Sequence, residues 1–187
     1  MTDVIKLITD DHRAMEKLFD RVKKERDRRP ELLREVAAML TAHSRAEEER
    51  VYPIVAKEAE ERGKVHHGVE EHQEAEELLH ELEKLDPAGD EFDGRFREFV
   101  EAVKHHVEEE ESEILPSLRD AVGKQRLEQL GQAFTDRREQ ELAGHKAGAK
   151  GRTRDELYQE AREMDISGRS GMKKDELAEA VEREKDL

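Results

Sequence analysis

Apolar residues recur at steps of three and four through the first 110 positions of the chain. Ile5, Ile8, His12, Met15, Phe19 and Val22 follow at steps of 3, 4, 3, 4 and 3. A second stripe carries Leu33, Val36, Leu40, His43, Glu47 and, seven positions on, Ile54. A third has Val65, Val69, His72, Ala75, Leu79 and Leu82, and a fourth has Phe92, Phe96, Phe99, Val103, His106 and Glu110. A 3,4 repeat lines one face of a helix and is the inward face of a left-handed bundle. The pattern predicts an all-α fold, an antiparallel up-down four-helix bundle.

The breaks between stripes are readable. Arg29-Pro30 ends one helix and begins the next, with proline in a first turn. Gly63 is expected to close the second segment and Gly123 the fourth, with a fifth helix over residues 124–142. Asp86 to Asp90 reads as a loop, and Asp90 can cap the helix after it. Pro53 and Pro116 fall inside helical patterns, so each predicts a kink or a helix end. Residues 143–152 are small, glycine-rich and basic, the composition of a linker. Thr153 to Glu156 reads as a capping box opening a helix to about Met164, followed by a loop from Ser167 to Gly171 and a last helix from about Met172. The predicted organisation is a bundle with trailing helix at 1–142, a linker at 143–152 and a helix–loop–helix module at 153–187. Leu157, Ala161, Met164, Ile166, Met172, Leu177 and Val181 would form the module's small core.

Each bundle stripe is apolar until histidine, or histidine with glutamate, interrupts it. Unpaired burial of such groups would cost several kcal/mol each, so something inside must satisfy them. His43/Glu47 and His106/Glu110 share the spacing His-x-x-x-Glu, which places nitrogen and oxygen one turn apart on one helix face. The flanks repeat as well: Val51-Tyr52-Pro53 follows the first motif as Ile114-Leu115-Pro116 follows the second. His12 and His72 precede His43 and His106 by 31 and 34 residues, so each of two helical hairpins supplies two histidines and one glutamate. Four imidazoles and two carboxylates suit a pair of first-row metals. The donors favour Fe or Mn over Cu(I), and a closed Zn site would want only four ligands. Two iron ions are the expected cofactor, ahead of Mn or Zn.

His66, His67, His80 and His105 fall off the stripes and His145 falls in the linker, so these five are expected in solvent. The acidic neighbours of Glu47 and Glu110 are expected to be solvated too. His105 also has a glutamate four residues on, Glu109, but its helical neighbours Ala102, Glu98 and Arg95 form a largely charged face. Ferritin-like bundles use two Glu-x-x-His pairs; Glu77/His80 is the single instance here, with its histidine off the stripe.

Composition narrows the partners. Charged residues make up 44% and hydrophobic ones 34%, which fits long amphipathic helices with a thin core. The net charge of -15 argues against simple electrostatic binding of nucleic acid or anionic membranes by the main body. Cysteine is absent, so any metal must sit on nitrogen and oxygen. The acidic N-terminus does not read as a signal peptide and no run approaches a membrane span, so a cytoplasmic location and no membrane partner are expected.

These residues resemble the hemerythrin-like (HHE cation-binding) family over about residues 3–118: a lone histidine on the first helix, His-x-x-x-Glu on the second, a histidine on the third and His-x-x-x-Glu on the fourth. The resemblance implies a non-haem di-iron centre ligated by His12, His43, Glu47, His72, His106 and Glu110. Such a centre would bind O2 or react with peroxide or nitric oxide, as in a sensor or stress protein. Tyr52 is a candidate neighbour of the ligands. Oxygen-carrying members have a second histidine four residues before the one on the third helix, where this chain has Gly68, and an aspartate where it has Glu111. The C-terminal module resembles the N-terminal domain of transcription terminator Rho and SAP-like domains. That resemblance implies a nucleic-acid or protein partner, and an alternative role as an iron-dependent regulatory or nucleic-acid accessory protein. Residues 152–187 hold eight Lys/Arg against eleven Asp/Glu, a net of -3, which weakens the nucleic-acid side of that expectation.

Overall fold

The computed structural model describes residues 2–150, 154–164, 166, 169 and 172–185. Among the described residues the regular structure is entirely helical: α1 (Val4–Lys24), α2 (Arg29–Ala46), α3 (Tyr52–Glu58), α4 (Arg62–Glu83), α5 (Asp90–Glu109), α6 (Leu115–Ala121), α7 (Lys124–Lys150), α8 (Arg154–Glu163) and α9 (Lys174–Lys185). None of these helices is long and apolar enough to cross a membrane. The chain divides into two compact units, residues 1–141 and 142–187.

In the first unit α1, α2, α4 and α5 form the bundle, and its stripes are those of the sequence except that Val4 replaces Ile5 on the buried face of α1 and that Val65 and Val69 of α4 are only partly buried. Val4, Ile8, His12, Met15, Phe19 and Val22 are the buried face of α1, and Phe92, Phe96, Phe99, Val103 and His106 belong to that of α5. The two interior prolines act through π turns, at Glu47–Val51 before Pro53 and at Glu110–Ile114 before Pro116. A proline has no N–H and its ring crowds the carbonyl four residues back, so the wider i→i+5 turn absorbs the clash without ending the helix. Tyr52 N–H reaches the Glu47 carbonyl and Leu115 N–H that of Glu110. The extra residue rotates the helix beyond it. Tyr52 and Val55, rather than Ile54 of the expected stripe, are the buried residues past the turn.

Other boundaries differ from expectation. Gly63 lies in the first turn of α4, and the break before it falls at Glu60, whose φ is 59°. A Cβ at Gly63 would meet open space, so no glycine is required there. Gly89, not Asp90, precedes the first turn of α5, while the Asp86 carboxylate receives the Ala88 N–H to shape the loop. The fifth helix does not stop at 142. It continues as α7 through 143–150, where alanines and lysines extend a helix already formed more readily than the glycines break it.

At the loop end of the bundle Arg29 is fully buried, an arrangement the stripes do not disclose. Its guanidinium donates to the Val22 and Pro87 carbonyls and to Asp93, and lies 4.5 Å from the Phe92 ring centre. At the other end Leu127, Leu130 and Phe134 of α7 close over Val4, Ile8, Tyr52, Val55 and Leu118. Gly131 permits the approach, because a Cβ there would run into the Thr2 carbonyl. The two apolar layers leave the polar stripe residues sandwiched between them.

The second unit has its own core. Leu157, Ala161, Leu177 and Val181 are buried, with Tyr158, Met164, Ile166, Met172 and Ala178 against them. Thr153 of the expected capping box, residues 151–152 of the expected linker and the loop residues Ser167, Gly168, Ser170 and Gly171 lie outside the described residues.

Candidate metal centre

The structure brings His12, His43, Glu47, His72, His106 and Glu110 together, all buried. Two groupings share one residue: ligand atoms of His12, His43, Glu47 and Glu110 lie within 4.8 Å of one another, as do those of Glu47, His72 and His106. His12 Nε2 is 3.2 Å from Glu110 Oε2, His43 Nε2 is 3.3 Å from Glu47 Oε1, and His72 Nε2 is 3.4 Å from Glu47 Oε2. His72 and His106 point Nε2 at each other at 3.0 Å. Two ligands each about 2.1 Å from one metal stand roughly 3–3.5 Å apart, so these separations suit coordination. The π turns serve this end by beginning at Glu47 and at Glu110, aiming both carboxylates inward while the helix continues.

Satisfaction of the polar atoms points the same way. His12 Nε2, His43 Nε2, both oxygens of Glu47, both oxygens of Glu110 and the Tyr52 hydroxyl are buried without hydrogen-bond partners among the described residues. So many orphaned donors and acceptors in one place would be a heavy cost unless a cation meets them. The residues present therefore fit a pair of metal ions.

The outer nitrogens of the same rings are fully engaged. His12 Nδ1 is 2.8 Å from Glu111, His72 Nδ1 is 3.0 Å from Glu48, His106 Nδ1 is 2.9 Å from Glu71 and His43 Nδ1 is 3.4 Å from Asp11. An ionised carboxylate only accepts, so each Nδ1 carries a proton, and in its neutral form each ring turns an Nε2 lone pair to the centre. The four carboxylates form a closed circuit. Asp11 on α1 serves α2, Glu48 beyond α2 serves α4, Glu71 on α4 serves α5, and Glu111 beyond α5 serves α1. Three of them are held by arginine: Arg13 at 2.6 Å from Glu111, Arg45 at 3.4 Å from Glu48 and Arg138 at 2.6 Å from Asp11. Arg138 comes from α7, so the fifth helix reaches the centre.

Glu48 and Glu111, expected in solvent, are thus half-buried supports of the histidines. A stripe one residue wide does not disclose them, since a position 100° around a helix can still face a neighbouring helix. The signal lies in the sequence all the same: each circuit carboxylate directly precedes or follows a ligand, as in Asp11-His12, Glu47-Glu48, Glu71-His72 and Glu110-Glu111.

Tyr52 lies fully inside, its ring stacked on His72 at 5.7 Å and 6°. A Cβ on Gly68 would come 2.9 Å from the Tyr52 hydroxyl. The tyrosine thus fills the space that a side chain four residues before His72 would take. His66, His67, His80 and His105 are exposed as expected, and Glu77/His80 makes no inner site. A small cavity of about 20 Å³ adjoins the centre among His12, His43, His72, His106, Met15 and Val103.

Electrostatics describe the metal-free centre. Burial holds the His43 imidazole neutral, its pKa down at about 4. Burial also opposes charge on His12, but the Glu110 and Glu47 carboxylates overcome it and lift its pKa to about 9. Glu110 would be raised by burial, yet the histidines around it, His12 foremost, bring it down to about 2. Burial and the neighbouring Glu110 push Glu47 well above the ordinary carboxylate range. Burial and the two glutamates likewise keep the Tyr52 phenol protonated. In the circuit, the His72 bond lowers Glu48, and the His106 bond lowers Glu71 against its burial. Asp11 is lowered against its burial by His43 and Arg138.

Comparison with known proteins places these observations. The sequence model of the hemerythrin HHE cation binding domain matches residues 3–118, and that of the Rho termination factor N-terminal domain matches residues 150–185. A DNA nickase of Nostoc sp. (strain PCC 7120 / SAG 25.82 / UTEX 2576) is 30% identical over 154 residues, 79% of this chain and 42% of that protein. The chain therefore spans less than half the length of that relative. The crystal structure of a hemerythrin HHE cation binding domain-containing protein from Mycobacterium kansasii shares the fold, with a TM-score of 0.72 at 22% identity, covering 81% of this chain and 96% of that one.

Proposed function

Because the chain belongs to the hemerythrin HHE cation-binding family, we propose that its metal centre holds two iron ions and binds or reacts with a small oxidant (O2, peroxide or nitric oxide) in the cytoplasm. The observation that supports this most is the set of buried, unpartnered nitrogens and oxygens on His12, His43, Glu47, Glu110 and Tyr52. Imidazole and carboxylate together favour iron. Bound iron would supply the electrons or the open coordination position that such a ligand needs. The chain's own residues set the rest. The cavity of about 20 Å³ has room for a molecule of only one or two heavy atoms, with Met15, Leu40, Val103 and Val107 lining it alongside the histidines. The carboxylate circuit holds all four rings in one tautomer, and Tyr52 keeps a proton at its oxygen within the same buried volume. With Tyr52 in the space beside Gly68, sensing or turnover fits better than reversible oxygen carriage. The test is the optical spectrum of the full chain purified without added metal. We expect an iron-dependent visible band that chelation abolishes and that peroxide or nitric oxide alters. A band indifferent to every small oxidant would overturn the proposal.

The DNA nickase relative, matched over most of this chain, favours a second reading in which the protein works with nucleic acid through its C-terminal module. Incubating the full chain with supercoiled plasmid, with and without iron, tests it. Salt-sensitive binding or nicking supports this reading, and neither at low salt contradicts it.

A further inference from the structure

Outside the inner centre the His-x-x-x-Glu spacing recurs on the solvent side of α4, as His66/Glu70 and His67/Glu71, and of α5, as His105/Glu109; His67/Glu71 and His105/Glu109 are the pairs that face each other. The two helices pack side by side, and the pairs meet across their seam. His67 Nε2 lies 3.7 Å from Glu71 Oε1 and 3.4 Å from Glu109 Oε2. His105 Nε2 lies 3.3 Å from Glu109 Oε1 and 3.8 Å from Glu71 Oε1. Each imidazole therefore faces both carboxylates, and ligand atoms of His67, Glu71 and Glu109 fall within 4.8 Å of one another.

Exposed His/Glu pairs alone would be an ordinary solvated surface. Glu71 makes the difference. Its side chain is only 10% exposed, and one oxygen is taken by His106, while the other, Oε1, is buried without a hydrogen-bond partner among the described residues and faces this cluster. The other three carboxylates of the circuit each meet an arginine, and Glu71 meets none among the described residues. The nearby Lys64 is drawn to Glu61 at 3.0 Å and to Glu113 at 3.4 Å. A cavity of about 190 Å³ opens beside the cluster, lined by Gly63, Lys64, His67, Glu71, Glu109 and Glu113 among others.

We propose that His67, His105, Glu109 and the free oxygen of Glu71 hold a third, exchangeable divalent first-row cation at the surface. His67, Glu71 and Glu109 already lie together, and His105 Nε2 stands 3.3 and 3.8 Å from the same two carboxylates, so the four can draw in to four-coordinate geometry around such an ion. Its exposure makes the site weaker than the inner one. Its bond to Glu71, which holds His106, connects it to the inner centre.

Zinc is the probe, added to the full-length chain as purified and counted per chain by equilibrium dialysis, with iron measured alongside. The comparison is among wild type, His67→Ala, Glu109→Gln and, as control, His66→Ala, which removes an exposed histidine that faces Glu70 instead. We expect one more zinc in wild type and His66→Ala than in the other two, whose zinc affinity should fall by at least about tenfold. Iron content should be the same in all four. Because the readout is a difference between variants, it stands whatever metal the inner centre holds. No extra zinc in wild type, or zinc retained in full by His67→Ala and Glu109→Gln, would overturn the proposal.

Discussion

Replacing Tyr52 by phenylalanine should change stability in opposite directions with and without metal. The ring is about 1% exposed and stacks on His72, and phenylalanine keeps both properties. What is lost is a buried hydroxyl with no hydrogen-bond partner. Such a group costs about 1–3 kcal/mol, and the small void left on its removal offsets part of that. The metal-free variant should therefore be more stable than wild type by about 1 kcal/mol. In the loaded protein the hydroxyl stands among the ligands, and its removal should weaken metal binding about 10–100-fold, which is about 1.4–2.7 kcal/mol. Urea unfolding of the full chain, chelator-treated and iron-reconstituted, measures both. A metal-free Tyr52→Phe chain destabilised by 1 kcal/mol or more (about the worth of one hydrogen bond) would show that the hydroxyl is partnered without metal, and the opposite signs would not hold.

Neighbouring histidines should separate cleanly. His106→Ala removes a buried ring, strands a Glu71 oxygen and should cost about 2–4 kcal/mol with loss of metal, whereas His105→Ala, at an exposed position, should stay within about 0.5 kcal/mol in melting experiments. The reverse result would mean that Glu109 replaces Glu110 in the centre. Acidity should act oppositely on the two forms of the protein. His12, raised from 6.5 to about 9, stabilises the metal-free fold fully below about pH 6.5, and that contribution is lost as pH rises through 9. His43, lowered to about 4, stays neutral in the fold, so stability is lost as pH falls from about 6.5 towards 4. Metal-free melting temperature should thus peak near about pH 6.5. Metal affinity should instead keep rising towards pH 9, because binding displaces the His12 proton; parallel pH profiles for the two forms would contradict this.

The bundle and its six inner side chains are legible in the sequence because a helix in a bundle shows its environment at a fixed period. An imidazole replacing Leu or Val on a stripe such as Phe96, Phe99, Val103, His106 stands out. The stripe loses its register after Glu47, where Ile54 is expected and Val55 is buried, because a π turn adds a residue without any signature beyond the proline after it. Arg29 is illegible for another reason. Its burial depends on carbonyls of Val22 and Pro87 brought together only by tertiary structure. The carboxylate circuit lies between these cases. Its residues adjoin the ligands in sequence, but their work is done across helix seams, which a single-helix reading does not resolve. The outer pair of His-x-x-x-Glu motifs is visible as spacing and reads as solvent, since nothing in one helix shows that two such pairs face each other.

If the six inward side chains form one dinuclear centre, Glu47 is common to both of its halves, and that makes the metal count decisive. The full chain is reconstituted with iron, dialysed against a weak chelator and submitted to elemental analysis, with the Glu47→Gln variant beside it. Two iron ions should remain per wild-type chain, and both, not one, should be lost when the shared carboxylate is neutralised. A wild-type chain that retains no more than one tightly held iron would contradict the dinuclear centre.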